Sequence, residues 1–312
     1  MMNAPSLDEL FDQRVAFPDP DAQERLAQLV GLDAQIDSLS KMLGILVNPD
    51  GLRNWAKRKH RGAASAIELL VRRPPLVILA GDVGSGKTAL AESIGDLVAR
   101  REKVSVTLYP ISLSTRGQGR VGEMTQLLSA AFSTVHDHAS KLKNRGGKVQ
   151  GAVILLVDEA DALAQSREAA QMHHEDRAGV NAFIRGVDRL ATGGLPTAVI
   201  MCTNRLSALD PAVRRRAAEV MTFTRPDASQ RSAVLAPALS ELGLSPSDIA
   251  AVVKATGAHN GRAVGCSFSD LTQRVLPSIV LDAYPDGAVT PARAVEVAKS
   301  VEPTPSFRES AT

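Results

Sequence analysis

The sequence predicts an α/β fold, with a parallel sheet covered on both faces, followed by a small all-α domain. Three observations carry this reading. The near-continuous apolar runs Leu76–Ala80, Gly151–Val157 and Ala198–Cys202 have the character of strands buried on both faces. The latter two lead into polar residues, Asp158-Glu159 and Thr203-Asn204, at the strand edge where open α/β sheets bind ligands. Beyond Arg225-Pro226 the apolar residues follow helical spacing, with no credible strand.

At 312 residues the chain can bury one large core and a small satellite. Apolar content of 44% and charged content of 22% are ordinary for a soluble globular protein. Aromatics make up 3%, which argues against a base-stacking surface for single strands. A net charge of +2 favours neither acidic nor basic partners. Cys202 and Cys266 lie far apart without metal-ligand spacing, as in a reducing cytoplasm. No apolar run approaches a membrane span and no basic-then-apolar segment opens the chain, so a soluble cytoplasmic protein is expected.

Residues 1–24, rich in proline and acids, read as a flexible arm with one short helix, although Phe11, Val15 and Phe17 could dock on a neighbouring surface. From Arg25 to Val47 the apolar spacing is helical, interrupted at Gly31. Val30-Gly31-Leu32 lies about fifty residues before the first strand and is a candidate for packing on a base. The run Arg53–Arg61 is basic and suits a solvated helix face, with Trp55 anchoring that helix to the core. The apolar strand Leu76–Ala80 then enters Gly81-Asp82-Val83-Gly84-Ser85-Gly86-Lys87-Thr88-Ala89, and a helical stripe of Leu90, Ile94, Leu97 and Val98 follows. Strand, Gly-x4-Gly-Lys-Thr loop and helix together form a phosphate-binding P-loop in its required context. Glycines let successive N–H groups turn inward around an anion, and the helix N-terminus adds positive potential. Lys87 supplies a charge between the β- and γ-phosphates of a nucleoside triphosphate, and Thr88 a hydroxyl to Mg²⁺.

Val104–Leu108 reads as a second strand, followed by the glycine-punctuated loop Ser112–Glu123, either a connection or a loop that grips something. Asp158, at the end of its strand, would complete the Mg²⁺ shell, while Glu159 would act as general base on water. His173-His174 and the pair His136, His138 diverge in direction, and no zinc site is expected. Asn204 could orient the lytic water. The cluster Arg214-Arg215-Arg216 is either solvated or a finger that acts on a neighbour's nucleotide. A further strand is expected near Val220–Phe223. Helices are then expected over Gln230–Leu239, Pro246–Thr256, Ser269–Tyr284 and Pro291–Val301, with a frayed tail from Pro303.

Taken together, the P-loop, Asp158-Glu159, the Asn204-ended strand, Leu209-Asp-Pro-Ala with its arginines, and a helical lid resemble an AAA+ ATPase over residues 25–302. The resemblance implies a five-stranded parallel sheet with helices on both faces, a large α/β domain at 25–224 and a lid at 225–302. It also implies ATP and Mg²⁺ at the interfaces of a homo-oligomeric, hexameric ring. A narrower resemblance is to the pachytene-checkpoint family of HORMA-domain remodellers, including short bacterial members of anti-phage signalling operons. It rests on Asp210-Pro-Ala-Val-Arg-Arg-Arg216-Ala, which favours Arg216 over Arg215 as the finger, and on Arg274–Tyr284 with the closing helix. This implies a HORMA-domain partner and, through it, a nucleotide cyclase. By the same resemblance Gly119, Arg120 and Val121 form the substrate pore loop, without the family's aromatic. Asn260-Gly-Arg262 stands nearest its second sensor, making Arg262 a candidate for touching phosphate. The rival reading is a nucleic-acid machine such as a helicase or clamp loader, supported by Arg53–Arg61, Arg116 and Arg120. A non-hydrolysing scaffold is a third.

Overall fold

The computed structural model describes residues 10–60, 64–113, 123–143, 149–163, 174–259 and 262–306. The pore-loop candidates Gly119, Arg120 and Val121, together with Arg61, Arg116, His173 and Asn260-Gly261, lie outside the described residues. The chain divides into two compact units. One comprises Met1–Ala27, Ala34–Ala80 and Thr88–Thr222, the other Gln28–Asp33, Gly81–Lys87 and Phe223–Thr312.

Strands β1 (Val15–Phe17), β2 (Leu76–Gly81), β3 (Ser105–Ser112), β4 (Gly151–Asp158), β5 (Thr197–Thr203) and β6 (Ala217–Phe223) form one sheet in the order β1-β3-β4-β5-β2-β6. The pairs β3–β4, β4–β5 and β2–β5 are parallel. In that register Ser112 stands opposite Asp158, and Ala80 opposite Thr203. The helices of eight residues or more that lie in the first unit, apart from the first residues of the second and fifth, are α1 (Pro20–Ala27), α2 (Asp33–Val47), α3 (Pro49–Lys59), α4 (Ala64–Val71), α5 (Lys87–Glu102), α6 (Glu123–Leu142) and α7 (His174–Gly193). Leu127, Leu128, Ala131, Phe132 and Val135 of α6 are spaced by three and four residues and share a core with Leu155, Val157, Val199 and Met201 of the sheet. Phe132 meets Phe183 of α7 edge-to-face at 5.5 Å. Gly186 lies at that contact, where a Cβ would come within 2.3 Å of the Phe132 ring.

The sheet has six strands rather than five. The extra one is β1, inside the stretch read as a flexible arm, and it runs antiparallel to β3 from Val15–Leu108 to Phe17–Val106. Leu10 and Phe11 are buried, and Phe11 packs edge-on to Tyr109 at 4.7 Å. Phe17 lies against Gly95 of α5, where a Cβ would approach its ring to 2.3 Å. A three-residue strand is too short to show a period of two, and of the sequence readings only the docking of Phe11, Val15 and Phe17 on a neighbouring surface points to it. Trp55 also differs from expectation. It is 43% exposed and pairs with the His60 ring at 4.6 Å instead of anchoring α3 to the core.

The second unit holds α8 (Ala228–Glu241), α9 (Pro246–Ala255), a continuous helix α10 over 268–283 whose middle, Leu271–Val275, is π-type, and α11 (Pro291–Ser300). Capping boxes start three of these helices, pairing Asp227 with Gln230, Ser245 with Asp248 and Ser267 with Asp270. Leu235, Leu239, Val252, Leu271, Val275, Ile279 and Ala298 share their core. In the tail expected to fray from Pro303, Thr304 is held. Thr304 donates from N and Oγ1 to Asp270 at 3.1 and 2.7 Å.

Candidate functional site

In the first unit the predicted residues lie at the strand ends. Asp158 closes β4, and Glu159 follows with φ +52°, a left-handed conformation that a side-chain-bearing residue rarely adopts. The turn is fixed on both sides. Glu159 N donates to Asp158 Oδ1 at 2.8 Å, and the Ser112 hydroxyl at the end of β3 donates to Glu159 Oε2. Asp158 also acts on Glu92, one helical turn beyond Thr88 on α5. Desolvation, then the charge of Asp158, raises the Glu92 carboxyl above the ordinary range, and Arg25 opposes the rise.

Asn204 follows β5, held by Asp161, a residue the sequence reading passed over. Asp161 accepts from Thr203 Oγ1 at 2.7 Å, from Asn204 N at 3.0 Å and from Asn204 Nδ2 at 2.9 Å. The fork fixes the plane of the Asn204 amide. Its signal was present in the sequence, because Asp161 sits three residues after Asp158, one short turn beyond the strand.

Arg216 is engaged within its own unit. Its Nε and Nη2 bind the two oxygens of Asp188 at 2.7 and 2.9 Å, and Nη1 donates to the Ala212 carbonyl at 2.9 Å. The Asp188 carboxylate raises the pKa of this guanidinium. Arg214 and Arg215 are exposed. Asp210 caps the turn that carries the cluster, accepting from Ala212 N at 2.7 Å.

The glycine-rich loop belongs to the second unit. Gly84 and Gly86 have φ of +70° and +93°, which glycine adopts without strain. At Gly81 a Cβ would lie 1.9 Å from the Phe223 carbonyl oxygen, so only glycine fits there. Lys87 is 6% exposed and donates from Nζ to the carbonyls of Gly81 and Asp82 at 2.9 and 2.7 Å. Ser85 Oγ donates to the same Asp82 carbonyl at 2.7 Å. A loop with glycine-only turns and an ammonium already lodged in it fits the phosphates of a nucleotide. Gly31, the base-packing candidate, accepts at its carbonyl from Gln230 Nε2 at 2.7 Å, and Leu32 lies within 2.9 Å of where a Cβ on Gly86 would stand.

Arg262 is placed otherwise than expected. It is 9% exposed, and its guanidinium is spent on backbone carbonyls, Ala255 at 2.8 Å, Lys299 at 2.9 Å and Val301. These are orphan carbonyls at the ends of α9 and α11, so Arg262 serves as a C-terminal cap instead of a phosphate contact. What stands beside the loop is the start of α10. Ser269 N donates to the Gly84 carbonyl at 3.2 Å, and a Cβ on Gly84 would come within 2.6 Å of Ser267 Oγ.

The profile of the "ATPase family associated with various cellular activities (AAA)" matches residues 77–225. CD-NTase-associated protein 6 of Escherichia coli strain MS 115-1 is 62% identical over 303 residues, covering 97% of each chain. The protein of the same name from strain KTE188 is 36% identical over 301 residues, covering 96% of this chain and 98% of that one. Among solved structures, a chain of the E. coli MS115-1 HORMA:CdnC:Trip13 complex is 59% identical with a TM-score of 0.90, covering 98% of this chain and 100% of its own. Rhizobiales Trip13 is 53% identical with a TM-score of 0.74, covering 95% and 99%. Among the described residues no helix is long and apolar enough to cross a membrane. The chain belongs to the AAA family of ATPases, among its Trip13-like, CD-NTase-associated members.

Proposed function

We propose that this ATPase remodels a HORMA-domain protein in cytoplasmic anti-phage signalling that involves a nucleotide cyclase, working as a hexameric ring. The observation that carries the reading is the end-to-end likeness to a protein solved in a HORMA:CdnC:Trip13 complex, at 59% identity and a TM-score of 0.90. The residue roles are part of the proposal. Gly81–Lys87 and Ala89 cradle the phosphates of ATP through backbone N–H groups, and Lys87 neutralises their charge. Thr88 and Asp158 would hold Mg²⁺, which when bound offsets negative charge on the phosphate oxygens. Glu159 takes the proton of the attacking water, and Asn204, its amide fixed by Asp161, orients that water. In the arginine cluster Arg215 is exposed, whereas Arg216 must leave Asp188 to act on a neighbouring subunit's nucleotide.

A trap tests the partner. Glu159→Gln protein loaded with ATP is used to capture proteins from nuclease-treated lysate of a strain carrying its neighbouring genes. A HORMA-domain protein retained only with ATP is the expected result. Recovery of replication proteins or nuclease-sensitive DNA would leave the ATPase standing and overturn the remodelling function.

A further inference from the structure

Arg225 follows β6 and entered none of the sequence readings except as a boundary. Its guanidinium is shared among three acceptors within the second unit. Nε donates to Asp82 Oδ2 at 2.5 Å, Nη1 to the Gly265 carbonyl at 2.7 Å and Nη2 to the Thr304 carbonyl at 2.6 Å. Both charged partners are withdrawn from water, Arg225 at 12% and Asp82 at 17% side-chain exposure. Asp82 lies inside the glycine-rich loop and organises it. Its other carboxylate oxygen accepts from Val83 N at 3.0 Å, and its backbone carbonyl accepts the Lys87 ammonium. A continuous chain of contacts therefore runs from Thr304 through Arg225 and Asp82 to Lys87.

A second thread starts from the same residue. Thr304 N and Oγ1 bind Asp270, and Asp270 accepts from Ser267 N and Oγ at 2.9 Å to start α10, whose Ser269 N holds the Gly84 carbonyl. Arg274 fastens the neighbouring Glu302 carbonyl at 2.7 Å. The segment after α11 is thus tied to the loop at Asp82 and at Gly84. The electrostatics give the ties a consequence. A carboxylate inside a loop that receives phosphate opposes the anion, and a guanidinium beside it cancels that opposition.

We propose that Arg225 is a positioning residue for nucleotide binding, and that residues 302–306 form a strap that keeps it on Asp82. The C-terminal segment then sets nucleotide affinity from outside the phosphate-binding motif. The proposal rests on the glycine-rich loop being the nucleotide site.

The test is a titration with a fluorescent ADP analogue of four proteins: the full chain, a chain ending at Glu302, Arg225→Ala, and the two changes combined. Shortening the chain and removing the guanidinium should each weaken binding about tenfold, as expected for loss of charge-assisted bonds. In the Arg225→Ala background, shortening should weaken binding less than it does when Arg225 is present, because only the thread through Asp270 to Gly84 is then left to lose. Adding Asp82→Asn to Arg225→Ala should recover about threefold in affinity, a rescue that general loss of structure would not give. Unchanged affinity on shortening, equal weakening in both backgrounds, or no rescue by Asp82→Asn would each overturn the proposal. If the shortened chain does not fold, the Asp82→Asn rescue decides alone. Failure of the full chain to bind the analogue at all would instead remove the nucleotide site itself.

Discussion

At the ends of β3, β4 and β5 the polar groups are held by partners that the sheet register brings alongside. Ser112 meets Glu159 across adjacent strands, and Asp161 takes the Thr203 hydroxyl and the Asn204 amide. Around the glycine-rich loop the holding groups come from far along the chain and act largely on backbone carbonyls. Arg225 reaches Asp82 across 143 positions and Thr304 across 79, and Gln230 reaches Gly31 across 199. The first arrangement follows from parallel pairing of neighbouring strands. The second requires the helical unit to be folded. Chemistry at the strand ends should therefore depend on individual side chains, and affinity at the loop should depend on the integrity of the second unit.

The largest effect sharpens the loop side of this contrast. Lys87→Ala should weaken nucleotide binding more than about a hundredfold, since a desolvated, charge-assisted phosphate contact is lost along with two carbonyl caps. Calorimetric titration reads this directly, and affinity within about threefold of the unaltered chain would break the assignment.

Next comes Asp161→Ala at the strand ends. It leaves the Thr203 hydroxyl, 1% exposed, and the Asn204 N–H without their acceptor, at a cost of ~2–4 kcal/mol in urea unfolding. Turnover should fall ~10- to 100-fold while affinity stays near the original value, because Asn204 loses its orientation and the loop does not. A fall in affinity with unchanged turnover would erase the distinction between the two regions.

The smallest effect concerns acid. Burial alone would raise the Asp270 carboxyl, but bonds from Ser267 and Thr304 outweigh it and bring it below the ordinary carboxylate range. For a group lowered on folding, its contribution is complete above the unfolded value and is lost as pH falls through the folded one. Urea midpoints measured from about pH 6 down to about pH 2 should therefore decline in the unaltered chain, and decline less in Asp270→Asn. Parallel profiles for the two proteins would show that Asp270 does not carry the acid sensitivity.

The pattern of what was legible follows the same division. Lys87, Thr88, Asp158 and Glu159 could be proposed from sequence because the roles proposed for them depend on neighbours within a few residues and on a buried strand beside them. The parallel strands and the four helices of the second unit were readable from apolar runs and helical periodicity. Strand β1 was not, because three residues carry no periodicity and its stability comes from Phe17 packing on Gly95. In sequence Arg262 read as a phosphate candidate and Arg225 only as part of a boundary. Only folding sends one to the carbonyls of Lys299 and Val301 and the other to Asp82. Arg216 was identifiable as part of a cluster, but its pairing with Asp188 depends on α7 passing beside the Pro211–Arg214 turn.

The most direct test of the account is steady-state ATP hydrolysis by Glu159→Gln beside the unaltered chain, with nucleotide affinity measured on both. The account predicts intact binding and turnover reduced by ~10²–10⁴, because the proposed general base at the end of β4 is gone while the loop is untouched. Unaltered turnover in Glu159→Gln would contradict it.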